Sequence, residues 1–131
     1  MSEENVEIVR RGIEAWNLRD LATWRAMFHP DAEVDWSRSQ GPLKGVYRGD
    51  ELETFWHEFW STFADVQLET HGFTEADSEV VVSNTAHARG RDGIEVTARS
   101  TFVFKIEDGQ ITRVRMFQER AEALEAAGLE E

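Results

Sequence analysis

The stretch IEVTARSTFVFKIEDGQITRVRMFQE, Ile94 to Glu119, decides the fold. Successive side chains of a strand point to opposite faces. Val96, Ala98, Ser100, Phe102, Phe104 and Ile106 therefore share one face, and Glu95, Thr97, Arg99, Thr101, Val103 and Lys105 share the other. One face is apolar and one mostly polar, the pattern of a half-buried antiparallel strand. Asp108-Gly109 is a turn signal, because Gly tolerates positive φ. Beyond it, Val114, Met116 and Gln118 share one face of a second strand, and Arg113, Arg115, Phe117 and Glu119 the other. Gln118 ends the apolar face with an amide, and Phe117 interrupts the polar one with a ring.

Working back toward the N-terminus, Glu79 to Arg89 reads as a strand with Val80, Val82, Asn84, Ala86 and Ala88 on one side. A turn at Glu75 to Ser78 separates it from a strand over Val66 to Phe73. Before that, Leu52, Phe55, Trp56, Phe59, Trp60 and Phe63 form the broad apolar stripe of a helix capped by Asp50. Ser37 to Gly49 reads as loop, and Ala32 to Trp36 as a short strand. Val6, Val9, Ile13 and Trp16 recur at helical spacing, with Ser2 as the N-cap and an end near Asn17. Asp20 caps a second helix carrying Leu21, Trp24, Met27 and Phe28, which His29-Pro30-Asp31 ends. Arg120 to Ala127 has the composition of a terminal helix stopped by Gly128. Helices followed by a strand meander predict an α+β domain with helices packed on one face of a sheet.

Length and composition narrow the function classes. A chain of 131 residues is one domain with a sizeable core. The net charge of −12 argues against nucleic acid and anionic membranes, which call for a basic surface. There is no cysteine, hence no disulfide or thiolate chemistry. The acidic, apolar-poor N-terminus is no signal peptide, and no apolar run spans a bilayer, so cytoplasm is the default location. Four His without HxH or HExxH spacing give no metal set, and no P-loop or GxGxxG suggests a nucleotide cofactor.

Four segments together resemble the SnoaL-like branch of the nuclear transport factor two / ketosteroid isomerase superfamily. They are Phe28 to Val34 (FHPDAEV), Gly45 to Glu51 (GVYRGDE), Phe104 to Ile111 (FKIEDGQI), and Arg120 to Leu124 with Gly128-Leu129. The resemblance spans nearly the whole chain. It implies a cone: a curved antiparallel sheet wrapped around the helices, with a pocket at the open end, in a protein that is often a homodimer through its outer sheet face. Such folds host isomerases, cyclases and hydrolases as well as non-catalytic binders. The outer-face residues Arg99, Thr101, Val103, Arg113, Arg115 and Phe117 would then form the dimer contact.

The expected pocket wall combines Trp16, Met27, Trp36, Trp56, Trp60, Phe102 and Met116 with the polar marks Asn84, Ser100 and Gln118. Tyr47 would add a phenol at the rim. For each aromatic the alternative is plain core packing, and for each amide a local hydrogen bond. Asp35 and His57 are the candidate acid–base groups. Family register places Trp36, not Asp35, at the isomerase base position, and Phe102 at that of the acidic donor. The epoxide hydrolase positions fall on Asn84, Ala86 and Met116. Both acid sets are therefore missing. The expectation is a small-molecule pocket, of an isomerase, cyclase or hydrolase acting on something hydrophobic and oxygenated; the alternatives are a non-catalytic binder of a hydrophobic ligand and a dimeric assembly domain that works through its outer face.

Overall fold

The turn at the centre of the hairpin takes positive φ at both Asp108 (50°) and Gly109 (77°). That is the backbone of a two-residue turn whose twist matches the strands it joins. It links β5 (Glu95–Glu107) to β6 (Gln110–Phe117), with Phe102 opposite Met116 and Phe104 opposite Val114. The computed structural model describes residues 2–39, 41 and 43–129. The capping role expected of Ser2 concerns a side chain outside those described.

Among the described residues the chain forms ten elements, this hairpin included, in the order α1 (Ser2–Asn17), α2 (Leu21–Ala26), β1 (Phe28–Asp35), β2 (Val46–Arg48), α3 (Glu51–Thr62), β3 (Phe63–Ala76), β4 (Glu79–Gly90), β5, β6 and α4 (Arg120–Ala126). The six strands form one curved, unclosed sheet in the order β2-β1-β6-β5-β4-β3. Only β1 and β6 run parallel; the other neighbours are antiparallel. No helix among the described residues is long and apolar enough to cross a membrane.

Several boundaries differ from expectation, each for a local reason. His29-Pro30-Asp31 does not end α2; the helix ends at Ala26 and the three residues lie within β1. They form an irregularity: Phe28 pairs with Ile111 and Glu33 with Arg113, so five steps on β1 face two on β6. Pro30 has no N–H to give a ladder, and a bulge is where a strand tolerates it. The Arg25 guanidinium donates to the carbonyls of His29 (3.3 Å) and Pro30 (3.0 Å) and so holds the irregular backbone. The expected loop 37–49 contains β2, which pairs with β1 from Glu33–Arg48 to Asp35–Val46. β3 runs on to Ala76, which narrows the expected turn to Asp77-Ser78. Asp50 makes no side-chain capping bond; Glu51 instead accepts from the Arg48 amide at 3.0 Å. Asp20 does cap α2, accepting from the Thr23 amide at 3.1 Å and its hydroxyl at 2.7 Å.

The core has two parts. The main one lies between the concave face of the sheet and α1, α2 and α3, where Val9, Trp16, Leu52, Val80, Val82 and Ile111 are buried. The smaller one lies on the other face, where Val81, Val103 and Phe117 pack with Ala123 and Leu124 of α4. Helices therefore cover both faces. α4 closes with Gly128 at φ 78°, its amide donating to the Glu125 carbonyl and the Leu129 amide to Leu124 (2.7 Å). This double bond pattern, with Leu129 packing back onto the cluster, stops the helix and pins it to the sheet.

Candidate functional site

Asn17 sets the position of the site. Its side chain bonds both backbone groups of Leu68 on β3, Nδ2 donating to the carbonyl (2.9 Å) and Oδ1 accepting from the amide (2.8 Å). The Gln67 amide caps the arrangement by donating to the Asn17 carbonyl at 3.0 Å. The end of α1 is thereby tied to the sheet, and Ile13 and Trp16 are held over its concave face. Trp16 then becomes the hub of an aromatic cluster, with ring centroids of Trp56, Trp60 and Phe59 at 5.0, 5.1 and 5.2 Å. Trp36 joins through Phe55 (5.3 Å) and Phe102 (5.5 Å). Such tilted and edge-on contacts suit the quadrupoles of the rings.

Between this cluster and the sheet lies a cavity of about 100 Å³. α1 contributes Gly12, Ile13 and Trp16, and α3 contributes Phe55 and Phe59. Trp24, Phe28, Val34 and Trp36 close one side; Ser100, Phe102 and Phe104 of β5 form part of the sheet wall, with Ala86 of β4 and Val114 of β6. Trp36, Phe59, Leu68, Ala86 and Ser100 are half-buried, whereas Trp16, Phe55 and Phe102 are buried, so the former group marks the side nearest solvent. The volume is below the ~300–1,000 Å³ of ordinary ligand clefts.

Of the residues singled out from sequence, Trp16, Trp36, Ser100 and Phe102 line this cavity. Trp56, Trp60 and Met116 are buried in the core without bordering it, and Met27 packs against the core from its edge. Tyr47 lies on β2, donates its hydroxyl to the Leu43 carbonyl at 2.9 Å and meets the Phe55 ring at a tilt of 57°. Burial, with Glu58 and Glu51 nearby, pushes its ionisation above the ordinary phenol range. Gln118 is exposed and donates to the Arg38 carbonyl at 3.1 Å, outside the cavity. Asn84 does not border the cavity but touches a residue that does: its Oδ1 accepts from the Ser100 hydroxyl at 3.1 Å. Trp24, Phe28, Phe55 and Phe59 also border it, although the sequence pattern marks them only as members of helix stripes. Alternation identifies the face of a strand, but not which side of a buried helix meets a void.

The two candidate acid–base groups stand elsewhere. Asp35 pairs in register with Arg115, on the face away from α1, α2 and α3. Burial raises the pKa of its carboxyl, but the hydroxyl (2.5 Å) and amide (3.0 Å) of Ser37 and the Arg38 guanidinium outweigh that and hold it below the usual value. The group is a loop anchor with its lone pairs in use. His57 is exposed on α3. Among the described lining residues there is no carboxylate, imidazole or ammonium group.

The outer-face residues are also placed differently from expectation. Thr101 (3% exposed), Val103 (1%) and Phe117 (4%) are buried within the chain, the latter two against α4. Arg115 pairs with Glu79 at 2.8 Å, and Arg113 approaches the same carboxylate at 3.8 Å. Of the six residues expected at a dimer contact, Arg99 alone is exposed. The apolar members of this face find their partners, Ala123 and Leu124, in a helix whose destination the sequence pattern does not state.

A curved open sheet around three helices, with an apolar cavity between, is the architecture of a known class. The chain belongs to the SnoaL-like domain family, which matches residues 9–114. Among solved structures it is similar to an NTF2-like protein of unknown function from Burkholderia pseudomallei K96243, at 27% identity and TM-score 0.80 over 95% of this chain and 97% of that one. It is also similar to TerC, co-crystallised with polyporic acid (20% identity, TM-score 0.80, 95% and 98% covered). RV0760c from Mycobacterium tuberculosis, in complex with estradiol-17β-hemisuccinate, is a further match in fold (13% identity, TM-score 0.78, 91% and 95% covered). Comparison with curated proteins gives no match.

Proposed function

We propose that this protein binds an uncharged, hydrophobic small molecule that carries a hydrogen-bond acceptor, and that it does so in the cavity between α1, α3 and the sheet. The observation that carries this reading is Trp16. It lines the cavity, is buried, and its indole N–H has no acceptor among the described residues. A buried donor left unpaired costs roughly 1–3 kcal/mol, and a ligand oxygen that accepts from it recovers that cost. The remaining wall is apolar apart from the Ser100 hydroxyl. A charged ligand would find no counter-charge there.

The same wall favours binding over proton-transfer chemistry. Enolisation or hydrolysis needs a base near the substrate and a donor for the developing oxyanion. Asp35 and His57 are outside the cavity, and the wall offers a donor without a base. The ligand-bound state of two proteins of this fold, TerC and RV0760c, is in keeping with the cavity as a ligand site. Because the cavity is smaller than the ~150 Å³ void that takes up benzene, entry requires the half-buried Trp36 and Phe59 to swing outward.

The test is a ¹H–¹⁵N spectrum of the indole N–H groups, with Trp16 assigned by Trp16→Phe. Acetophenone should move the Trp16 resonance downfield saturably, as a new hydrogen bond does. A Trp16 resonance that stays in place while other cavity resonances move would leave binding intact and remove the acceptor. No movement of any cavity resonance would remove the pocket.

A further inference from the structure

β5 has a bare edge over half its length. β6 stops at Phe117, opposite Thr101, whereas β4 continues beside β5 as far as the Arg89–Glu95 pair. Glu95 to Ser100 thus have a strand on one side and, among the described residues, none on the other. Glu95, Val96, Thr97, Ala98 and Arg99 are all exposed, Val96 at 54%. A row of unpaired N–H and C=O groups is a template for another strand, and the side chains on it select which strand fits.

This segment is complementary to itself. Laid antiparallel on a second copy and centred on Thr97, it sets Glu95 opposite Arg99 at both ends and Val96 opposite Ala98 between them. Opposite charges directly across a ladder stabilise it, and like charges weaken it. Centring one residue earlier or later brings no charge pair together. We propose that a second copy of this chain docks here by antiparallel pairing about a two-fold axis at Thr97, continuing the sheet from one copy into the other. Directly opposed side chains lie on the same face of a sheet. Val96 and Ala98 share the face of Ser100, and Ala98 pairs with Ala86; Ser100 and Ala86 both line the cavity. The second copy therefore prolongs the apolar cavity wall beyond its solvent side. This edge is distinct from the outer face, whose apolar residues α4 already covers.

Charge exchange tests the register. In sedimentation equilibrium at about 100 µM protein, the wild type should be a dimer. Glu95→Arg alone and Arg99→Glu alone should each be monomeric, because each opposes like charges. Their equimolar mixture should be dimeric, since every opposed position then regains one charge of each sign. A monomeric wild type, a dimer unaffected by either substitution, or folded variants whose mixture stays monomeric would overturn the proposal. Arg89 faces Glu95 on β4, so Glu95→Arg also places two arginines together within the chain. Thr97→Cys avoids that difficulty. The chain has no other cysteine. Two copies of residue 97 face each other at a separation a disulfide can span. Mild oxidation should give a covalent dimer from Thr97→Cys and none from Glu107→Cys at the other end of the strand. Equal cross-linking of both, or of neither, would contradict edge pairing.

Discussion

The Ser100 hydroxyl donates to Asn84 Oδ1 at 3.1 Å between register partners on β5 and β4, and the Nδ2 of that amide, in a residue only 1% exposed, has no partner among the described residues. Half of a buried amide is thus satisfied and half is not. Ser100→Ala should cost about 1–3 kcal/mol, because it strands the Asn84 oxygen as well. The double variant with Asn84→Leu should recover much of that loss, since replacing both partners by apolar groups removes the need for either bond. Urea denaturation midpoints of the two variants, at unchanged slope, check this ordering.

Asn17 acts at a distance from the cavity. Asn17→Ala removes both bonds to the Leu68 backbone and frees the end of α1. The expected loss is about 1–3 kcal/mol of stability. Ligand affinity should fall as well, because Trp16 is the next residue. The check is thermal unfolding beside acetophenone titration; a full stability loss with unchanged affinity would separate the anchor from the site.

Asp35 should govern acid stability rather than binding. Its carboxyl is held below the usual value in the folded chain. The stability it contributes is therefore fully present above the unfolded value of about 4 and is lost as pH falls through the lower folded value. The difference in unfolding temperature between wild type and Asp35→Asn should be largest near neutral pH and shrink below about pH 4. At pH 7, Asp35→Asn and His57→Ala should both leave acetophenone affinity within about twofold, as neither group borders the cavity.

The outer cluster should be a stability element. Leu124 is 3% exposed and packs with Val81, Val103 and Phe117. Leu124→Ala should cost about 2–5 kcal/mol, as large-to-small changes in cores do. Urea denaturation measures the loss, and the ligand affinity of the folded fraction should be unaffected, because the cluster is on the opposite face of the sheet.

Fold and site were legible in the sequence to different depths. Alternation over Ile94 to Glu119 placed Ser100, Phe102 and Phe104 on the concave face, and Asp108-Gly109 marked the turn, because period-two patterning and positive φ are local properties. The bulge at Pro30, the β2 pairing at Tyr47 and the docking of α4 depend on which distant segment arrives, and local pattern carries no such address. The same limit applies to the site. Trp56 and Trp60 share a helix face with Phe59, yet only Phe59 borders the void. Asp35 was readable in part: its neighbour Trp36 took the inward position, so alternation already pointed the carboxylate outward.

The hydrogen bond from the Trp16 indole to an acceptor-bearing ligand is tested most directly by a matched pair of probes. Acetophenone and ethylbenzene have similar shape and differ in a carbonyl oxygen. Titration calorimetry on the wild-type protein should give acetophenone the tighter binding by about tenfold, the worth of satisfying one buried donor. Trp16→Phe should erase that preference. Equal affinity of the wild type for the two probes, or tighter binding of ethylbenzene, would contradict the account.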